Sequence, residues 1–383
     1  MRWQIVVWSG VAVLTLLLAA GAAWILTLPP VSAAASGPKV SQDEANATVA
    51  ALRPPKRSRP LIAIIGINDA TETTDYLMPY GILKRADVAD VLALATEPGP
   101  VKLYPALTVE ADATVSDFDE RYPDGADYVI VPAMSRDDDP AALAFIRRQA
   151  SQGAIIIGVC AGAKVVGDAG LLDGKRATTH WYFVRELLDK HPTIRRVRDR
   201  RLVVDQGVAT TTGISAAMPT SLILIEAIAG RAKAEAVARD LGLTEWDASH
   251  DSNAFELTRP FALTVLGNTL ALWNRERLGI KLSPGIDDVS LALVADAWSR
   301  TYRSHAVTFA GSAVPLQAKS GIRILPDVAA TNWSAQYLLR AIENRRPAEA
   351  LNQALSDIAG RYGERTAEVV AMQLEYARQG ASR

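Results

Sequence analysis

The stretch Ala154-Ile155-Ile156-Ile157-Gly158-Val159-Cys160-Ala161-Gly162-Ala163 decides the fold of this chain. Its first half is a short apolar run of the kind that forms a strand buried on both faces. Its second half is made of small residues that lead into a helix. A cysteine between the two occupies a sharp turn that exposes its side chain, and Gly158, Ala161, Gly162 and Ala163 leave that turn the room it needs. The helix beginning there aims unpaired N–H groups and the positive end of its dipole at the sulfur, which favours thiolate. The competing reading is a cysteine packed as a small hydrophobe, and spacing alone does not separate the two.

Upstream, Leu61-Ile62-Ala63-Ile64-Ile65-Gly66 and Tyr128-Val129-Ile130-Val131-Pro132 are further runs of the buried-strand type. Val91–Ala95 and Val101–Leu103 read as shorter strands, and helical spacing marks Asp75–Ala86 and Pro140–Gln152. Strands alternating with helices predict an α/β domain with a doubly wound, parallel, flavodoxin-like sheet. In such sheets reactive groups gather beyond the carboxyl ends of the strands, and Cys160 stands at one of those ends.

Lys plus Arg number 41 against 42 Asp plus Glu, a formal net charge of −1, which argues against nucleic acid as a partner. Hydrophobic residues make up 49%, enough to bury a core. The single cysteine excludes an intrachain disulfide and a zinc site of several thiolates, and we expect neither a metal nor a cofactor. From Trp3 to Pro38 there is no charged residue. Gln4–Leu28 is long and apolar enough to cross a bilayer as a helix that stops at Pro29-Pro30. The small residues Ser32-Ala33-Ala34-Ala35 also fit a cleaved signal peptide, although the apolar run is longer than such signals need. Residues 1–30 are therefore read as a transmembrane anchor or signal, and 31–59 as a linker with a short helix at Gln42–Leu52. Residues 60–232 form the α/β domain and 233–383 a C-terminal region. Either reading of the first segment leaves the bulk of the chain extracytoplasmic, as a single-pass membrane protein or a secreted one.

The elbow at 157–163, followed by Ala169-Gly170-Leu171-Leu172-Asp173-Gly174-Lys175-Arg176-Ala177-Thr178-Thr179-His180-Trp181, resembles the ThiJ/PfpI family, a branch of the class I glutamine amidotransferase-like superfamily. Its isonitrile-hydratase and AraC-regulator-associated members look most similar, and Leu202–Asp205, Gly207 and Thr211–Ala216 continue the match. The resemblance implies that Cys160 is the reactive cysteine and Asp75 the acid that hydrogen-bonds it and manages its proton. It implies an imidazole at His180 near the elbow, and backbone N–H groups at Ala161 and Ala133 as oxyanion donors. Peptidase-like members carry a histidine directly after the cysteine, whereas here Ala161 stands there, so neither a peptidase nor a glutamine amidotransferase is expected. Pro132-Ala133-Met134 replaces the family's Pro-Gly-Gly, and Ala217 and Pro219 replace its frequent Gly and Asp, so the pocket departs from the family's usual one.

In the second half, Trp246–Ser252 is polar and aromatic enough to be a site, although such a stretch is more often a surface loop. Gly285-Ile286-Asp287-Asp288, a helical Val289–Arg300 and strands at Ala306–Ala310 and Gly321–Asp327 repeat the order of the first half of the α/β domain. Ser290 and Val294 then fall where Asp75 and Pro79 stand, and no second cysteine follows. Such a copy is noncatalytic and packs on the first as partner subunits do in family dimers, so an internal pseudo-dimer or a homodimer is expected. Helices at Ser334–Asn344 and Pro347–Gln379 complete the chain. Two functions follow from these residues: a cysteine nucleophile acting on a small electrophile, by hydratase or reactive-carbonyl chemistry, or a noncatalytic ligand- or redox-sensing module of the same fold.

Overall fold

The computed structural model describes residues 2–30, 37–343 and 345–376. Helices α1 (Arg2–Thr27) and α2 (Gln42–Ala51) come first. The α/β domain then runs β1 (Leu61–Gly66), β2 (Asp69–Glu72), α3 (Thr73–Ala86), β3 (Asp90–Ala95), β4 (Pro100–Tyr104), β5 (Thr108–Glu110), β6 (Ala113–Thr114) and α4 (Val115–Arg121). It continues through β7 (Tyr128–Val131), α5 (Pro140–Ser151), β8 (Ile155–Gly158), α6 (Gly162–Asp168), β9 (Arg176–Ala177), α7 (Val184–Lys190) and β10 (Arg195–Arg196). It closes with β11 (Leu202–Asp205), β12 (Val208–Thr211), α8 (Ala217–Ala229) and α9 (Arg231–Leu241).

Seven strands form one sheet in the order β11-β12-β8-β7-β1-β3-β6, parallel throughout except where β11 pairs antiparallel with β12. Every residue of β1, β7 and β8 is buried, as expected of strands covered by helices on both faces. Ile62 and Ile64 pack in the layer of α3 and α8, while Ala63 and Ile65 pack in that of α5 and α6. That alternation places the doubly wound domain where the sequence put it.

The C-terminal region adds α10 (Arg259–Leu270), β13 (Glu276–Lys281), α11 (Asp288–Ser299), β14 (Ser304–Ala310), β15 (Leu316–Gln317), β16 (Arg323–Leu325), β17 (Val328–Ala329), α12 (Pro347–Tyr362) and α13 (Glu364–Gln373). Strands β13, β14 and β17 form a parallel sheet with α11 between the first two, the same connectivity as β1, α3, β3 and β6. Helices α3 and α11 pack directly on each other. Glu72 caps α3 and Asp287 caps α11, and Arg85 and Arg300 each follow their cap by thirteen residues (85 − 72 and 300 − 287). Each arginine reaches across to the other copy's cap: Arg85 Nη2 lies 2.5 Å from Asp287 Oδ2, and Arg300 Nη2 lies 2.8 Å from Glu72 Oε1. Strands β5 and β16, which are counterparts in the two repeats, pair antiparallel with Val109 opposite Ile324. Reciprocal ion pairs and an antiparallel pairing of like strands are what a two-fold interface produces, here within one chain.

Several expectations need correction. The linker is not a free tether beyond residue 37: Leu52 is buried, and Asp127 Oδ1 accepts the N–H groups of Lys56 and Arg57 at 3.1 and 3.0 Å. Glu44 also pairs with Arg200 at 2.6 Å, so this segment straps the domain. Ser334–Asn344 is not a helix apart from a single turn at Ala335–Tyr337, and Asn344 lies outside the described residues. The expected helix Pro347–Gln379 breaks at Gly363 (φ 91°) into α12 and α13, because glycine alone takes that backbone without strain, and its end lies outside the described residues. Among the described residues no helix is long and apolar enough to cross a membrane, so the span expected at Gln4–Leu28 finds no support there. In α1 the side chains at 2–7, 9–14 and 18 lie outside the described residues, as do the candidate cleavage residues Ser32–Ala35.

The α3–α11 crossing is tight at Gly81, where an added Cβ would run into Asp288 Oδ2 and come within 2.6 Å of Val289 Cγ2. On an open helix Gly→Ala stabilises by roughly 0.5–1 kcal/mol. Here we expect the opposite sign: Gly81→Ala lowers the unfolding free energy by about 1–3 kcal/mol, as overpacking does, measured by urea denaturation.

Candidate functional site

Strand β8 delivers the chain to Cys160, whose φ of 56° is left-handed. For a residue with a Cβ this backbone costs of order 1–3 kcal/mol and persists only where its surroundings fix it. Two threonines do so. Cys160 N–H donates to Thr211 Oγ1 at 3.0 Å, and Thr179 Oγ1 donates to the Cys160 carbonyl at 2.9 Å. Gly162 completes the elbow, because a Cβ there would collide with the carbonyl of Val131 and with Pro132. The cysteine is only 4% exposed. Burial, then the carboxyl groups of Asp75, Glu72 and Glu375, push its thiol well above the ordinary range, while the N–H of Ala161 acts in the opposite sense.

Asp75, in the first turn of α3, is fully buried. Its Oδ2 accepts the Ala133 N–H at 3.1 Å and its Oδ1 has no hydrogen-bond partner. Two expectations change here. The Ala133 N–H, expected as an oxyanion donor, is committed to Asp75. The acid also makes no hydrogen bond to the thiol through Oδ1; the two groups act on each other through the field of a dry interior. Burial first, and Glu72 second, push Asp75 well above the ordinary carboxylate range, which favours its neutral form. Oδ1, the oxygen that accepts nothing, is the one free to carry a proton.

His180 is buried but not free. Its Nδ1 accepts the N–H of Tyr182 at 3.2 Å, which puts the ring proton on Nε2, and Nε2 then donates to the carbonyl of Gln373 at 3.0 Å. Burial holds it below the ordinary histidine range, so it is a neutral ring tied to the end of α13. The structure thus brings Cys160, Asp75 and the Ala161 N–H together, and turns His180 and the Ala133 N–H toward other partners.

Sequence reasoning missed Glu72, Arg300 and Glu375 around the thiol, and favoured a loop reading for His250, which stands beside Glu375. Glu72 Oε2 accepts Thr74 Oγ1 at 2.8 Å and the Asp75 N–H at 2.6 Å, and its Oε1 accepts Arg300. Arg300 also donates from Nε to both oxygens of Asp296, at 2.9 and 2.8 Å. Glu375 and His250 complete the set; both are buried, and His250 stacks on Phe255. His250 lies within the stretch read as a surface loop, where Trp246 and Ala248 are buried as well. An acid three residues before Asp75 was a visible helix-start signal for Glu72. Nothing in the sequence pointed to Glu375.

With this geometry in place, comparison with known proteins is direct. The DJ-1/PfpI family model matches residues 62–227. An isonitrile hydratase of Pseudomonas putida is 36% identical over 176 residues, 44% of this chain and 72% of that protein. The chain belongs to the DJ-1/PfpI family. A transcriptional regulator of the helix-turn-helix type, CdhR of Pseudomonas aeruginosa, is 26% identical over 171 residues, 43% of this chain and 47% of the regulator. A DJ-1 superfamily protein of Salmonella typhimurium, solved as a cysteine-to-alanine mutant, is 25% identical and fully covered by 49% of this chain, with a TM-score of 0.43. Membership supports cysteine-based chemistry or sensing at the elbow; residues beyond 227 lie outside the family match.

Burial, followed by the nearby Asp296 carboxyl, pushes Glu72 from an ordinary value of 4.5 up to about 7. Between those values the folded chain holds a proton that the unfolded chain has lost. The unfolding free energy therefore falls as pH rises from 4.5 to 7 and levels off above. We expect Glu72→Gln to flatten this fall in urea titrations stepped across that window; an unchanged slope excludes Glu72 as its source.

Proposed function

We propose that the elbow domain acts as an enzyme in which Cys160 attacks a small electrophilic carbon, by hydratase or reactive-carbonyl chemistry. The observation that carries this is the pairing of a strained, buried Cys160 with a buried Asp75 that is pushed toward its neutral form and whose Oδ1 has no partner. As the S–C bond forms, the π bond of the C=X group breaks and its electrons move to X. Asp75 gives its proton to X, and the thiol proton passes to the carboxylate so created. The net step adds S–H across C=X and returns Asp75 to its starting state. The Ala161 N–H is the backbone donor closest in sequence to the developing charge. The P. putida relative supports the hydratase form of the reading.

A second reading, ligand sensing without turnover, draws on the same burial, since a thiol pushed up in pKa is a poor resting nucleophile. Assay of the full chain against isonitriles and 2-oxoaldehydes separates the two. We expect turnover that Cys160→Ser abolishes and Asp75→Asn lowers by about 10²-fold or more. Saturable binding without product establishes the sensing reading instead.

We also propose that the chain works at a membrane, with the α/β domain extracytoplasmic. The charge-free stretch from Trp3 to Pro38 supports this, and so does α10. Pro260–Asn274 carries no charge, and Leu263, Leu266, Leu270, Leu272 and Trp273 are exposed. Arg259 Nη2, at the start of α10, donates to the carbonyl of Leu26 at 2.8 Å, so this apolar face begins where α1 ends. Interfacial Trp and Leu suit such a position. The expressed protein should remain with membranes through an alkaline carbonate wash; recovery in the wash overturns the membrane assignment.

A further inference from the structure

Glu375 is a buried acid beside the elbow that the proposed chemistry does not use. It follows α13 closely, has a left-handed φ of 49°, and is 4% exposed. Its Oε1 accepts the Trp181 N–H at 2.6 Å, its Oε2 accepts the Gly213 N–H at 2.8 Å, and His250 Nε2 stands 3.6 Å from Oε2. The main chain around it is tied down as well. Ser215 Oγ donates to its carbonyl at 2.6 Å, and Trp181 Nε1 donates to the Met372 carbonyl at 2.9 Å.

The two donors are not scattered. Trp181 is two residues beyond Thr179, which holds the Cys160 carbonyl, and Gly213 is two residues beyond Thr211, which holds the Cys160 N–H. At about 3.3 Å per extended residue, both N–H groups sit on the order of 7 Å along the chain from the contacts that fix the nucleophile. Glu375 held by them is near enough for its charge to act on the Cys160 thiol, so one small molecule can span the two.

The geometry points to a carboxylate-binding subsite formed by the N–H groups of Trp181 and Gly213 with His250, which the chain's own Glu375 occupies as a tethered ligand. The ligand that displaces it is a small molecule carrying a carboxylate at one end and an electrophilic carbon at the other. The subsite rests on the nucleophile reading only for the placement of that carbon at Cys160. Residues of α13 leave together with Glu375, because His180, Trp181 and Arg300 all bond to the same last turn, Met372–Gln373.

Two alkylating agents of nearly the same size, iodoacetate and iodoacetamide, test this on the full chain without any assumption about turnover. In Glu375→Ala, Cys160 should alkylate at least about tenfold faster than in the wild type, and the iodoacetate-to-iodoacetamide rate ratio should rise at least tenfold. Acetate should slow iodoacetamide in the variant and leave the wild type unaffected. Should Glu375→Ala fail to fold by circular dichroism, Glu375→Ser, which also empties the subsite, should show the same change of ratio, whereas Glu375→Gln, which still fills it, should not. A ratio that neither Glu375→Ala nor Glu375→Ser moves, or an absence of protection by acetate, overturns the subsite. Carboxylate selectivity in a protein that turns over no electrophile leaves the subsite standing and removes the nucleophilic enzyme.

Discussion

The guanidinium of Arg300 is held, largely buried, between Glu72, at the start of α3, and Asp296, one turn back on its own helix. A charge so placed is tolerated only with partners on both sides, because removing either acid strands the other charges in a dry interior. The pairing fixes the crossing of α3 on α11 and so the seating of the C-terminal repeat on the α/β domain. It also fixes the Glu72 carboxylate that caps α3, and through that cap the first turn carrying Asp75. One ion-pair cluster thus connects the assembly of the chain to the acid beside the cysteine.

The cluster also sets the protonation of the site. Glu72, Asp75 and Asp296 are three buried carboxyl groups gathered near the largely buried guanidinium of Arg300. Like charges this close do not all ionise, so protons are retained, and Asp75 is the group with no cation in direct contact. The thiol is held neutral by the same burial and the same negative neighbours. In the described state a thiol and an acid that are both pushed toward their neutral forms lie beside Glu375. The carbonyl of Arg300 accepts Gln373 Nε2 at 2.9 Å, so the segment covering the site and the cluster beneath it are in contact.

Much of the fold was legible because its signals are local. The runs at 61–66, 128–132 and 154–159 have nothing to do but bury themselves in a parallel sheet, and Cys160 lies where one of them meets a helix. The repeat in the second half was visible for the same reason, since the order of Gly-rich turn, helix and strand survives without a catalytic residue. The break at Gly363 and the loss of a helix at Ser334–Asn344 were less visible. Apolar spacing there satisfied a helical pattern; the positive φ of Gly363 broke one helix, and packing of Ala335–Tyr337 against β13 left only a single turn of the other.

By itself the sequence determined the doubly wound sheet, the elbow at Cys160 and the position of Asp75 near the start of the first helix of that domain. Each depends on residues within about a turn or a strand of one another, so composition and spacing specify them. Tertiary structure alone decided what those residues face. It gave the Ala133 N–H to Asp75, turned His180 toward Gln373, brought Arg300 to Glu72 from 228 positions away, and laid Glu375 across Trp181 and Gly213. These contacts join segments with no local signal in common. The physical reason is burial: inside the protein each polar group must find a partner, and which partner it finds depends on how distant segments pack.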